Sequence, residues 1–135
     1  MIRAFTCHNR NDISNVQPNK PITFDTVISN YGSGYNPSTG IFTADKSGWY
    51  TFFYDIRVIA GNNICYINLV RNGARISTIY AHSSESVYHH ISESNLLFIH
   101  LNVGDRVWLY SKDTGNHVCS IDDFSSFAGF LLNVI

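Results

Sequence analysis

Charge is scarce in this chain. Only 14% of its 135 positions are Asp, Glu, Lys or Arg, with nine basic residues against ten acidic ones, where roughly 25% is usual for soluble proteins. There is no basic run on which to build a phosphate-tracking surface, so nucleic acid is excluded as a partner. No apolar stretch approaches the roughly 20 residues that span a bilayer. The N-terminus lacks a basic segment followed by an apolar one, so the chain is expected to be cytosolic or to have lost its targeting segment. Cysteine is limited to Cys7, Cys65 and Cys119, odd in number and widely spaced. That excludes a dense disulfide framework and the paired spacing of a zinc site. It leaves open one bridge with a free thiol, or three buried thiols. Asn36-Pro37-Ser38 carries the forbidden Pro, so no N-glycosylation acceptor remains. No Gly-x-Ser-x-Gly elbow, His-Glu-x-x-His pair or phosphate loop occurs, and a non-enzymatic protein is expected.

Good helix formers are also few, while hydrophobic residues reach 44% and aromatics 14%. That balance predicts an all-β fold, and the length predicts one domain spanning residues 1–135. Strands are expected over 2–8, over 22–28 (one strand or a pair), at Ile41–Ala44, Trp49–Ile59, Ile64–Val70, Ala74–Ala81, 87–103 and 127–135. Asn72-Gly73 is a two-residue hairpin signal. In the segment from Trp49, alternation places Tyr50, Phe52, Tyr54, Ile56 and Val58 on a core face. Trp49 and Phe53 fall on the other face and are expected to be covered by another sheet or subunit. Leu101 to Tyr110 reads as a strand–turn–strand unit, with Gly104-Asp105 at the turn and Trp108 as the large anchor filling the core. Roughly nine or ten short strands without a helix imply a sandwich or jelly roll.

A set of landmarks resembles one family. Ala4-Phe5, Phe24-Asp25, Asn30…Gly32…Tyr35 and Thr39-Gly40…Phe42-Thr43-Ala44…Gly48…Tyr50…Phe52 are followed by Asn72-Gly73, Gly104-Asp105…Val107-Trp108-Leu109 and Phe127…Gly129-Phe130-Leu131-Leu132. In order and spacing they resemble the complement C1q globular head domain. Asp45 departs from the pattern, since the family commonly has Pro there. The resemblance implies a ten-stranded jelly roll shared with tumour-necrosis-factor-like domains, assembled as a homotrimer and secreted. Without a Gly-X-Y run, it implies a head domain alone, either naturally stalkless, as in many immune proteins of invertebrates, or excised from a longer chain. The implied function is innate-immune recognition of microbial surface glycans or lipopolysaccharide. The alternatives are a cytokine- or adipokine-like receptor ligand and a structural trimerisation head of a matrix protein.

Candidate ligand residues lie in polar loops. Arg71 and Arg75 flank the Asn72 turn and offer guanidinium groups to phosphate or carboxylate. Tyr88, His89, Asn116 and His117 combine an aromatic face with hydrogen-bonding groups suited to sugars. His89 and His90, adjacent on a predicted strand, point to opposite faces and cannot share a metal ion. Calcium, which some family members hold with loop acids, is not expected, because no acid flanks Arg71-Asn72-Gly73. Asp122 and Asp123 are the weak remaining candidates, read as a solvated loop. Trp49 and Phe53 are the trimer-interface candidates.

Overall fold

A computed structural model describes residues 1–84, 90–115 and 117–134. Ten strands run in order: β1 Ala4–His8, β2 Thr26–Tyr31, β3 Tyr35–Asn36, β4 Ile41–Thr43, β5 Gly48–Val58, β6 Asn63–Arg71, β7 Ala74–Ser83, β8 Ile91–Leu101, β9 Arg106–Ser111 and β10 Ser126–Val134. They form two five-stranded antiparallel sheets, ordered β2-β1-β10-β5-β8 and β3-β4-β9-β6-β7. The jelly roll expected from the sequence is present, with no helix among the described residues.

The core lies between the sheets and follows from alternation. On β5, Tyr50, Phe52, Tyr54, Ile56 and Val58 are each 0% exposed, because successive side chains of a strand point to opposite faces. From the second sheet, Cys65, Ile67 and Leu69 of β6 and Val107 and Leu109 of β9 meet them. Phe5 sits at the centre, stacked on Tyr35 and Phe42 at 5.1 Å each and edge-on to Phe127 at 5.0 Å. Gly129 makes room for this cluster: a Cβ there would lie 2.6 Å from Phe52 Cδ1.

β10 takes the central place its apolar sequence implies, between β1 and β5. The first and last strands are thus neighbours, Ala4 opposite Phe130, and both chain ends leave from the same end of the sandwich. Beside them Arg3 Nε donates to both oxygens of Asp45, at 2.9 and 3.0 Å. The ion pair gives the departure at Asp45 its own way of closing the turn before β5.

Four expectations are corrected. Leu101 to Tyr110 is a corner rather than a hairpin: β8 ends at Leu101 opposite Gly48 in one sheet, and β9 pairs with β6 and β4 in the other. Alternation around a Gly-Asp turn is the same in both arrangements, so the local pattern does not choose the partner. Trp108 is half-buried on the outer face of β9, while its neighbours Val107 and Leu109 enter the core. β8 begins at Ile91, so His90 precedes the strand; residues 85–89 lie outside the described set. The stretch before β2 is irregular but not idle, since Ile22 and Phe24 are buried and the Phe24 N–H donates to the Tyr35 hydroxyl at 3.0 Å.

The cysteines resolve into one bridge and one thiol. Cys65 on β6 is bonded to Cys119, 54 residues later. Cys7 is buried and free; burial pushes its thiol up to about 12, and its Sγ donates to the Phe127 carbonyl at 3.3 Å.

Candidate functional site

Asn72, at φ +51° in the turn between β6 and β7, is held within the scaffold. Its Nδ2 donates to Asp105 Oδ1 at 3.0 Å, and its Oδ1 accepts from the Arg106 N–H at 2.9 Å. The hairpin tip and the Gly104-Asp105 corner therefore form one clamp. Asp105 also accepts from the Asn102 N–H, and these bonds, that from Asn72 foremost, hold its carboxyl below the usual range. Asn72→Ala is expected to cost about 1–3 kcal/mol, through two lost hydrogen bonds and a β-carbon residue less tolerant of positive φ. Because the folded carboxyl is depressed, its contribution is full above about pH 4 and lost as pH falls through the folded value. The gap between wild type and Asn72→Ala should therefore narrow from pH 7 to pH 3 in urea melts.

The two arginines flanking this turn are directed to different partners. Arg71 Nη1 donates to the His100 carbonyl on β8 at 3.2 Å, bridging the two sheets. Arg75, beyond a bulge between Leu69 and Val70, donates from Nη1 to Thr78 Oγ1 at 3.2 Å on the outer face. There, Tyr66, Asn68, Arg75, Thr78, Tyr110 and Lys112 line an open cleft of about 600 Å³. Register builds it: Asn68 lies opposite Thr78 on one side and Tyr110 on the other, and Tyr66 opposite Tyr80. The Thr78 hydroxyl donates to Asn68 Oδ1 at 2.6 Å, and Asn68 Nδ2 donates to the Tyr110 hydroxyl at 3.0 Å. Tyr66 packs on Tyr80 at 4.7 Å, with Lys112 Nζ 5.9 Å from the Tyr66 ring centroid.

Apart from Arg75, the cleft is not among the residues singled out from the sequence, which favoured loops. The available signal was the polar and aromatic series on the non-core positions of β6. Of the loop candidates, His117 is exposed and lines a smaller cavity of about 140 Å³ with Asn15, Lys112 and Asp113. Tyr88, His89 and Asn116 lie outside the described residues.

Asp122 is not in a solvated loop. It is 2% exposed and accepts from Arg57 Nε at 2.8 Å and from the Phe124 N–H at 2.9 Å. Burial pushes its carboxyl up, with Phe124 and Arg57 pulling the other way. The Asp123 N–H is bound by Asp12. Among the described residues, no three His, Cys, Asp or Glu side chains converge as a metal site.

On the opposite sheet, Trp49 is 43% and Phe53 39% exposed. Register adds Leu96 beside Phe53, and Phe98 and Phe130 on either side of Thr51, all three exposed. A contiguous apolar surface of this kind marks an interaction face.

Residues 4–132 match the family model described as the C1q domain. The chain belongs to the C1q domain family. It is 34% identical over 116 residues to Protein HP-25 homolog 1 of Bos taurus, covering 86% of this chain and 52% of that protein. It is 34% identical over 113 residues to Caprin-2 of Danio rerio, covering 84% of this chain and 12% of that protein. The chain thus spans about half of the first relative's length and far less of the second's. Among solved structures, the globular domain of zebrafish complement 1qA superposes with TM-score 0.78 at 24% identity, covering 98% and 99% of the two chains. Murine APRIL at pH 5.0 does so with TM-score 0.74 at 13% identity, covering 98% and 100%. These likenesses show the jelly-roll fold shared by C1q and tumour-necrosis-factor-like domains. Such domains are generally non-enzymatic binding modules that form trimers, and C1q domain proteins are generally secreted. The Cys65–Cys119 bridge accords with an oxidising compartment.

Proposed function

We propose that this protein is a secreted, homotrimeric, non-enzymatic recognition head of innate immunity that binds microbial surface glycans or lipopolysaccharide. The observation that carries the reading is the apolar face of Trp49, Phe53, Leu96, Phe98 and Phe130, open to solvent in one chain. Three copies joined through it bury aromatic area that water otherwise opposes. They leave the second sheet, with its cleft and its Arg75, facing outward. Three weak sites on one rigid body then bind a repetitive surface with an avidity far above that of each site.

Phe53→Asp tests both parts. A carboxylate in the centre of that face carries a desolvation penalty without a partner, so light scattering is expected to show a trimer for wild type and a monomer for the variant. Binding to immobilised lipopolysaccharide or polysaccharide should fall about 100-fold or more with the loss of avidity, and should persist in a calcium chelator. A monomeric wild type at micromolar concentration would refute the assembly. A trimer that ignores a panel of microbial polysaccharides would refute the ligand and favour the receptor-ligand alternative.

A further inference from the structure

We infer that the outer-sheet cleft of β6, β7 and β9 is the glycan site and that it selects acidic oligosaccharides, their charges set against Arg75 and Lys112 and a ring face against Tyr66. The inference rests on the glycan-recognition reading above and gives it a place and a ligand class.

The hydrogen-bond relay across the cleft runs in one direction. Arg75 donates to Thr78, Thr78 to Asn68, and Asn68 to Tyr110. A tyrosine hydroxyl that has accepted a bond keeps its own proton to give away, and among the described residues Tyr110 gives it to no side chain. Arg75 spends one of its five N–H groups within the relay. Lys112 has its ammonium over the Tyr66 ring and makes no salt bridge among the described residues. What the cleft still offers is thus a set of donors, two of them cationic, and no carboxylate lines it. A matching ligand brings acceptors and negative charge. Neutral sugars, whose hydroxyls donate as readily as they accept, leave both cations uncompensated.

Spacing sets the ligand's size. Arg75 is paired with Val70, and Lys112 binds the Tyr66 carbonyl through its backbone N–H at 2.9 Å. Four residues of β6 separate these two backbone rows, about 13 Å of strand, and the Arg75 side chain turns back to Thr78, opposite Asn68, which brings its guanidinium toward the Lys112 row. One short oligosaccharide therefore reaches both cations. In the Lys112 row, Tyr66 packs on Tyr80 with the Lys112 ammonium at its ring; as that exposed ammonium turns to an acidic group, the C–H face of a sugar ring takes its place on Tyr66. Asn68 beneath is 3% exposed and fixed at both ends of its amide, so the floor is rigid before the ligand arrives.

The test is calorimetric titration of the intact protein with tetragalacturonate, with maltotetraose as the neutral control and a phosphorylated oligomannose as the second anionic probe. Tetragalacturonate is expected to bind, and maltotetraose to bind about tenfold more weakly or not at all. Arg75→Ala and Lys112→Ala should each cost about tenfold and flatten the salt dependence. Tyr66→Ala should weaken binding, and Arg71→Ala should change it by less than about twofold. Tighter binding of the phosphorylated probe, with the same dependence on Arg75 and Lys112, supports the site and assigns phosphate as its charge. Equal binding of maltotetraose, indifferent to Arg75 and Lys112, overturns the acidic selectivity and leaves glycan recognition standing. Tetragalacturonate binding that ignores Arg75, Lys112 and Tyr66 overturns the site. Binding of no saccharide by a correctly melting protein overturns this inference together with the reading beneath it. Arg75 and Lys112 are exposed, so their truncation leaves the fold intact and these two variants decide the matter even where Tyr66→Ala melts early.

Discussion

Phe5→Ala is expected to lower stability by about 3–5 kcal/mol, enough to consume much of what a domain of this size possesses. Phe5 is 1% exposed and lies among the rings of Tyr35, Phe42, Phe52 and Phe127. Those rings come from four different strands, β3, β4, β5 and β10, across both sheets. No neighbour can collapse into the space, because each is itself wedged between others: Phe52 also stacks near Tyr50 and Phe127. The loss thus combines transfer of a large ring with a cavity that stays open. Phe5→Leu keeps most of the volume and should cost less than half as much. Urea denaturation of both variants checks this, and a Phe5→Ala loss below about 1 kcal/mol would show that the cluster is not the centre of the fold.

Removing the Cys65–Cys119 bridge ranks second. Its 54-residue separation corresponds, on chain-entropy grounds, to about 4 kcal/mol of stability. The effect has a local partner: the bridge holds the segment after β9 against β6, where the Ile64 N–H reaches the Val118 carbonyl at 2.9 Å and the Val16 N–H reaches that of Cys119 at 2.6 Å. The paired variant Cys65→Ala and Cys119→Ala leaves no buried hydroxyl to confuse the result. It should melt at much lower urea than wild type, and a reductant should bring wild type down to meet it. Equal midpoints with and without reductant would contradict the account. Cys7 stays out of this chemistry: buried and held protonated with its value pushed up to about 12, it should resist alkylation in the folded protein at pH 8.

Most of the fold was legible because alternation reports burial directly. The five inward residues of β5 are all fully buried, and the punctuating turns fall at Asn72-Gly73 and Gly104-Asp105. What alternation leaves undetermined is which strand lies next to which. Leu101 and Val107 have the same pattern whether the chain doubles back or crosses to the other sheet, and only the long-range pairings to Gly48 and Phe42 decide. The cysteine pairing was undetermined for the same reason. The candidate site was less legible still. Arg71 and Arg75 are close in sequence, but a bulge beside Val70 separates what they reach. Asn68, Thr78 and Tyr110 are distant in sequence and ordinary individually; they become a relay only once three strands are in register.

The pairing of β1 with β10 governs how the protein can be displayed. A tether fused to either terminus leaves from the end that carries the Arg3–Asp45 ion pair and the Asn72–Asp105 clamp. The disulfide-bound segment and the cavity beside His117 lie at the other end, and the cleft opens to the side. A sensor chip or bead loaded through either terminus therefore presents the cleft and the cavity beside His117 away from the support, and an attachment through the far end would mask that cavity.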